Sequence, residues 1–179
     1  SNLGNALKEA GQLEDAAASH EKAIRLKPDL SDAHNNLGSV RQEQGRLDEA
    51  AESCRKALAI NPEYTEAHSN LGAVLQNLGF LDEAVASYRK ALAIKPDYVQ
   101  AHYNLGNVLK DLGRLDEAVA SYHKAFAIQP DFAEAHSNLG NAFKELEKLD
   151  EADGAVLEMG TPSVELLLLI PRAVSGTTC

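Results

Sequence analysis

Five asparagines recur in this chain at a spacing of 34 residues: Asn2, Asn36, Asn70, Asn104 and Asn138, each directly before a Leu-Gly pair. A carboxamide neither attacks nor titrates near neutral pH, but it carries hydrogen-bond donors and an acceptor on one side chain. A regular row on one face therefore suits one task, gripping the main chain of an extended peptide without reading its sequence. The competing role is structural, each carboxamide bonding to the adjacent helix and tying a stack together. The residues alone leave both roles open, with peptide capture the preferred reading.

Other chemistry is harder to find. His34, His68, His102 and His136 repeat at the same interval. Successive packed helices stand ~8–10 Å apart, whereas each ligand of a zinc ion lies ~2 Å from it, so a packed ring at each repeat junction is expected and a metal site is not. Cys54 reads as a small core residue rather than a nucleophile. With Cys179 it makes no disulfide framework or ligand cluster, and a reducing compartment is expected. There is no Gly-rich phosphate loop, no His-Glu-x-x-His, no cysteine pair at metal spacing and no Gly-x-Ser-x-Gly. Neither an enzyme nor a cofactor is expected of this chain.

A formal net charge of -10 argues against binding nucleic-acid phosphates, which calls for clustered Lys and Arg, and favours neutral or basic partners. The longest apolar run, Leu166 to Ile170, is far short of the ~20 residues of a membrane-spanning helix, and no signal peptide is visible. A cytoplasmic location is expected. The chain begins without Met, inside a repeat, and reads as a piece of something longer.

Repeated elements must position the asparagines. Residues 65–98 laid on 99–132 give 23 identities in 34 positions without a gap, far beyond chance. Within 65–98, Ala67, Leu71, Val74, Leu75 and Leu78 form one helical stripe. Leu81, Ala84, Val85, Tyr88, Ala91, Leu92 and Ile94 form a second. Gly79 separates them, Asp82 is expected as the N-cap of the second helix with Glu83 in its first turn, and Pro96 closes the unit. Each unit is thus a pair of antiparallel helices, A and B. Gly72 with Ala84, and likewise Gly38 with Ala50 and Gly106 with Ala118, are expected to let the two backbones approach closely. A single pair cannot bury its apolar faces, so the pairs must stack as a solenoid.

This frame resembles the tetratricopeptide repeat, W-x2-L-G-x2-Y, A-x3-F, P over 34 residues. It reads here as His68, Leu71, Gly72, Leu75, Ala84, Tyr88 and Pro96, and as His102, Leu105, Gly106, Leu109, Ala118, Tyr122 and Pro130. Unit two departs at Arg41 and Cys54, which replace large apolar residues. The resemblance implies an all-α, right-handed α-solenoid over residues 1–159: a partial repeat at 1–30, full repeats at 31–64, 65–98 and 99–132, and a degenerate one at 133–159.

It further implies that helix A lines a concave groove and that each Asn faces it. Asn2, Asn36, Asn70, Asn104 and Asn138, with Tyr103, Asn107 and Asn141, are then the expected peptide-binding set. The pattern is similar to the asparagine ladder of O-linked N-acetylglucosamine transferases, so an alternative reading is the substrate-recruiting part of a longer glycosyltransferase. The family's carboxylate clamp is absent. Asn70 and Asn104 stand where it needs Arg, and Glu66, Gln100 and Glu134 stand where it needs Lys. Glu9, Glu43, Asp111, Glu145, Asp32 and Glu66, interrupted by Lys8, Lys110 and Lys144, make a neutral, Ser/Thr-rich or basic peptide the compatible guest.

The repeat decays from Glu147, which replaces the turn glycine, and Gly154, Gly160 and Pro162 are helix breakers. A last helix ending by about Met159 is expected. Residues 160–179 read as an irregular tail, either a cap over the apolar end of the stack or the mark of a truncated or frame-altered sequence.

Overall fold

The computed structural model describes residues 2–132 and 137–146. Eight helices alternate as A and B elements: α1 Asn2–Glu9, α2 Leu13–Leu26, α3 Ser31–Glu43, α4 Leu47–Ile60, α5 Thr65–Asn77, α6 Leu81–Ile94, α7 Val99–Asp111 and α8 Leu115–Ile128. Residues 137–146 are also helical. No strand occurs among the described residues, and the architecture is an all-α solenoid of tetratricopeptide type.

Each A helix stops in the same way. Gly11, Gly45, Gly79 and Gly113 take φ between 72° and 82°, a left-handed conformation that costs glycine nothing and other residues a good deal. At α3 the Arg46 N–H reaches back to the Arg41 carbonyl (2.8 Å) and the Gly45 N–H to the Gln42 carbonyl (3.0 Å). This paired closure satisfies carbonyls that the helix end would orphan. It also brings the chain round so fast that the B helix starts at once. Asp82 consequently lies inside α6, in its first turn, and the N-cap is Phe80, which makes no side-chain capping bond. The expected N-cap role of Asp82 is therefore corrected. Its charge still complements the helix dipole.

Both predicted stripes of residues 65–98 turn inward, with Ala67, Leu71, Val74, Leu75, Ala84, Val85, Tyr88 and Ala91 buried. Ile94 is the exception, at 39% exposed, as are its counterparts Ile60 and Ile128. Each sits on the final turn of a B helix, past the reach of the next layer. The A-helix glycines do admit helix B closely, and the group they admit differs along the array. A Cβ on Gly72 would lie 2.9 Å from the Tyr88 ring, and one on Gly106 2.6 Å from that of Tyr122. These glycines make room for an aromatic ring one turn beyond the paired alanine. At Gly38 the helix B backbone itself comes in, the Ala50 carbonyl oxygen lying 3.1 Å from where the Cβ would be.

Among the described residues α3 packs on α5 and α5 on α7, while no two B helices come together to the same extent. A stack whose layers meet closely on one side bends toward that side. The A helices accordingly line the inner face and the B helices the outer one. The expected decay from Glu147, the end of the last helix near Met159 and the tail 160–179 lie outside the described residues.

Candidate functional site

Residues i, i+3 and i+7 of a helix share a face, and in α3 those are Asn36, Ser39 and Glu43. Together with Asn5, Lys8 and Glu9 of α1 they line a polar hollow of about 400 Å³. In it the Lys8 ammonium donates to the Ser39 hydroxyl (2.7 Å) and pairs with Glu43 (2.8 Å), so the inner-face cation is already neutralised. Asn36 is half-buried and makes no side-chain hydrogen bond among the described residues. Glu9 is exposed and holds no ion pair among them.

The later asparagines are half-buried too, but partly engaged. Asn70 Nδ2 donates to Asn35 Oδ1 of the preceding repeat (2.9 Å). Asn138 Nδ2 donates to the Tyr103 hydroxyl (3.0 Å) and to Asn107 Oδ1 (2.8 Å), and Asn107 Oδ1 accepts from the Tyr122 hydroxyl as well (2.8 Å). Asn104 Oδ1 accepts from Gln100 (3.1 Å). The Asn2 side chain lies outside the described ones. Each engaged carboxamide still carries unused capacity, since its bonds occupy fewer sites than the two N–H groups and two lone pairs it owns. The row is neither wholly free nor wholly spent.

Tyr103 is half-buried, meets Phe132 edge to face (centroids 5.0 Å) and Tyr122 at a tilt (6.1 Å), and so is anchored as much as offered. Asn141 is exposed on the 137–146 helix. Asn107 faces inward but serves as the acceptor that joins two repeats. One residue the sequence reading passed over is Asn35, buried at 4% exposure beneath Asn70. The column 35, 69, 103, one residue ahead of each conserved-frame Asn, holds Asn, Ser and Tyr. Its all-polar or amphipathic make-up was the available signal.

His34, His68 and His102 are packed rings, as the distance argument requires, and His136 lies outside the described residues. Nε2 of His34, His68 and His102 bonds the carbonyl of Pro28, Pro62 and Pro96 at 2.9, 2.9 and 2.8 Å. A carbonyl can only accept, so the proton resides on Nε2 and each ring clips the loop that enters its helix. Burial lowers the pKa of His102, the Pro96 bond opposes that shift, and nearby Lys124 adds to it. No cluster of three or more potential metal ligands occurs among the described residues. Cys54 is fully buried and its thiol is pushed up to about 12 by desolvation, which leaves no reactive thiolate at neutral pH. Among the described residues no helix is long and apolar enough to cross a membrane.

The outer face carries a different kind of opening. Between α6 and α8, over α7, lies a cleft of about 680 Å³ lined by Leu92, Ala93, Leu105, Leu109, Ala127 and Ile128 among others, with Arg89, Glu117 and Lys124 also on its wall. The corresponding opening between α2 and α4 measures about 240 Å³ and contains Arg41.

Several solved structures share this architecture. MamA aligns with a TM-score of 0.75 at 25% identity, covering 86% of this chain and 90% of that one. YrrB, described as a TPR protein with an unusual peptide-binding site, aligns at 0.67 and 27% identity, covering 82% and 75%. The first TPR of Spaghetti (RPAP3), bound to the HSP90 peptide SRMEEVD, aligns at 0.64 and 22% identity over 65% and 93%, a likeness of fold alone. Curated protein sequences contain no match to this chain. The TPR repeat profile fits residues 4–45, 42–79, 78–113 and 106–147, and on that coverage the chain belongs to the tetratricopeptide repeat family.

Proposed function

We propose that this protein is a non-catalytic interaction scaffold whose inner face captures an extended peptide segment of another protein. The observation that carries the reading is the run of half-buried carboxamides on the A helices with hydrogen-bonding capacity left over, Asn36 above all. Capture is non-covalent. Asn36, Asn70, Asn104 and Asn138, with Asn2 by position, bond the guest main chain. Asn107 and Asn141 extend the same face, and Tyr103 adds apolar contact. The exposed carboxylates of Glu9, Glu43 and Asp111 favour a neutral, Ser/Thr-rich or basic guest over an acidic one. The peptide-binding site named for YrrB supports a peptide partner in kind. A cytoplasmic setting belongs to the same reading. No observation favours the alternative of a glycosyltransferase fragment.

The test is a display screen of random extended peptides against the wild-type chain and the Asn36→Ala/Asn70→Ala/Asn104→Ala variant. Selected peptides are expected to be neutral or basic and to bind the variant at least ten-fold more weakly, with helicity unchanged. Equal binding by both proteins, with a large drop in melting temperature for the variant, would assign the carboxamides to holding the stack together.

A further inference from the structure

We infer that the outer cleft between α6 and α8 is a second docking site, one that takes an apolar segment carrying a carboxylate. The site is independent of the inner face, and its charge preference is the opposite. At about 680 Å³ it falls within the ~300–1,000 Å³ range of ligand pockets.

A comparison with the opening between α2 and α4 shows what leaves this cleft open and apolar. In the opening between α2 and α4, the floor position holds Arg41, whose guanidinium reaches Glu21 (3.2 Å) and the Ser53 hydroxyl (2.8 Å) and fills the space. Two repeats later Leu109 stands at that floor position, 1% exposed, and Arg89 stands where Glu21 was. The wall lysine changes its circumstances as well. Lys56 is neutralised by Glu52 one turn earlier (2.6 Å), whereas the residue one turn before Lys124 is Ala120. Glu117, the carboxylate on this wall, is taken by Arg89 (2.7 Å) and Arg114 (2.7 Å). Lys124 is therefore a cation without an ion pair among the described residues, beside an apolar trough, in a chain of net charge -10. An apolar guest gains by covering Leu92 and Ile128, and a carboxylate on it gains by meeting the exposed ammonium of Lys124 at the rim of the cleft.

The experiment titrates the full chain with the fluorescent probe acetyl-Ser-Leu-Glu-Leu-Leu-Ser-amide and its Glu-to-Gln and Glu-to-Lys forms. The expected result is saturable binding of the Glu probe, roughly ten-fold weaker binding of the Gln form and weaker still for the Lys form. Ala127→Trp, on an exposed position of the cleft wall, should abolish binding. Lys124→Glu should reverse the preference toward the Lys probe, and the triple Asn→Ala variant should bind the Glu probe as wild type does. Indifference to the probe's charge, unchanged binding to Ala127→Trp, or loss of binding in the triple Asn variant each overturns the proposal. So does concentration-dependent dimerisation that Ala127→Trp abolishes, since the occupant would then be a second copy.

Discussion

The first junction of the array in which an A helix lies between two B helices, and the one two repeats later, use the same backbone frame for opposite interiors. Where α2, α3 and α4 meet, the core contains Ala16, Ala17, Leu37, Val40 and Cys54, and Arg41 closes the outer side with an ion pair to Glu21 and a weaker one to Glu49 (3.7 Å). Where α6, α7 and α8 meet, Leu109 and Tyr122 take the places of Arg41 and Cys54, and Tyr103 and Phe132 extend an aromatic cluster toward the inner face. Stability in a stacked array is nearly a sum of neighbouring interfaces. Exchanges at the floor and at the glycine-facing position, with Arg89 and Ala120 in place of Glu21 and Glu52 on the walls, thus make one junction polar and filled on its outer side and the other apolar and open.

Exchanging the floor residue should break this contrast most forcefully. Leu109→Arg puts a charge at a buried position with no carboxylate placed as Glu21 is, at a cost of about 3–5 kcal/mol. Arg41→Leu removes a partly buried ion pair in favour of apolar packing and should be neutral or stabilising by about 1 kcal/mol. Denaturant titration followed by circular dichroism measures both. Comparable losses for the two variants would mean that the junctions are energetically alike.

The residue facing the A-helix glycine sharpens the same comparison. Tyr122→Ala deletes a ring buried against Gly106 and is expected to cost about 3–5 kcal/mol. Cys54→Ala removes one sulfur against Gly38 and should cost about 1 kcal/mol. Gly38 has room for little else, because its position is crowded by both the thiol and the Ala50 carbonyl. A loss at Cys54 as large as that at Tyr122 would contradict this ordering.

Most of the fold was legible because its signal is repeated: a stripe that recurs at 34 residues with Gly and Pro at fixed offsets can fold into little but stacked helix pairs. The cap at Phe80 was not legible, since it depends on how few residues the left-handed glycine closure uses, and Asp82 satisfies the usual N-cap preference by type alone. The group nearest each A-helix glycine was not legible for a related reason. Small residues at 72 and 84 look like partners on paper, whereas the space left at Gly72 is occupied by the ring of residue 88. In the candidate site the asparagine row could be read directly, but its division of labour could not. Whether a carboxamide is free depends on side chains 31 to 35 residues away, such as Asn35 below Asn70 and Asn107 below Asn138.

That division gives a smaller and more discriminating contrast. Asn138→Ala removes donors to Tyr103 and Asn107 and should cost about 1 kcal/mol. Asn36→Ala removes no intramolecular bond among the described residues and should leave melting unchanged while weakening capture of a selected inner-face peptide. If instead Asn36→Ala destabilises and Asn138→Ala does not, the carboxamides of the first junction are the structural ones and the assignment along the row is inverted.

The least of these effects is the response to acid, and it too differs along the stack. His102 clips the Pro96 carbonyl beneath the α6–α8 cleft, with desolvation as the main cause of its lowered pKa and Lys124 reinforcing it. A histidine whose folded pKa lies below its unfolded value of 6.5 binds fewer protons in the native state. Its contribution is therefore fully present above pH 6.5 and is lost as pH falls through the folded pKa, so melting should drop on going from pH 7.5 toward pH 5. His20 at the first junction shifts in the same direction, by burial and by the charges of the N-terminus and Lys8. The two can be separated by removing the neighbouring charge. Lys124→Gln should raise the titration midpoint of His102, followed by its imidazole NMR signals, and leave that of His20 where it was. A His102 midpoint unmoved by that change would place the whole shift on burial and would detach Lys124 from the floor of the cleft.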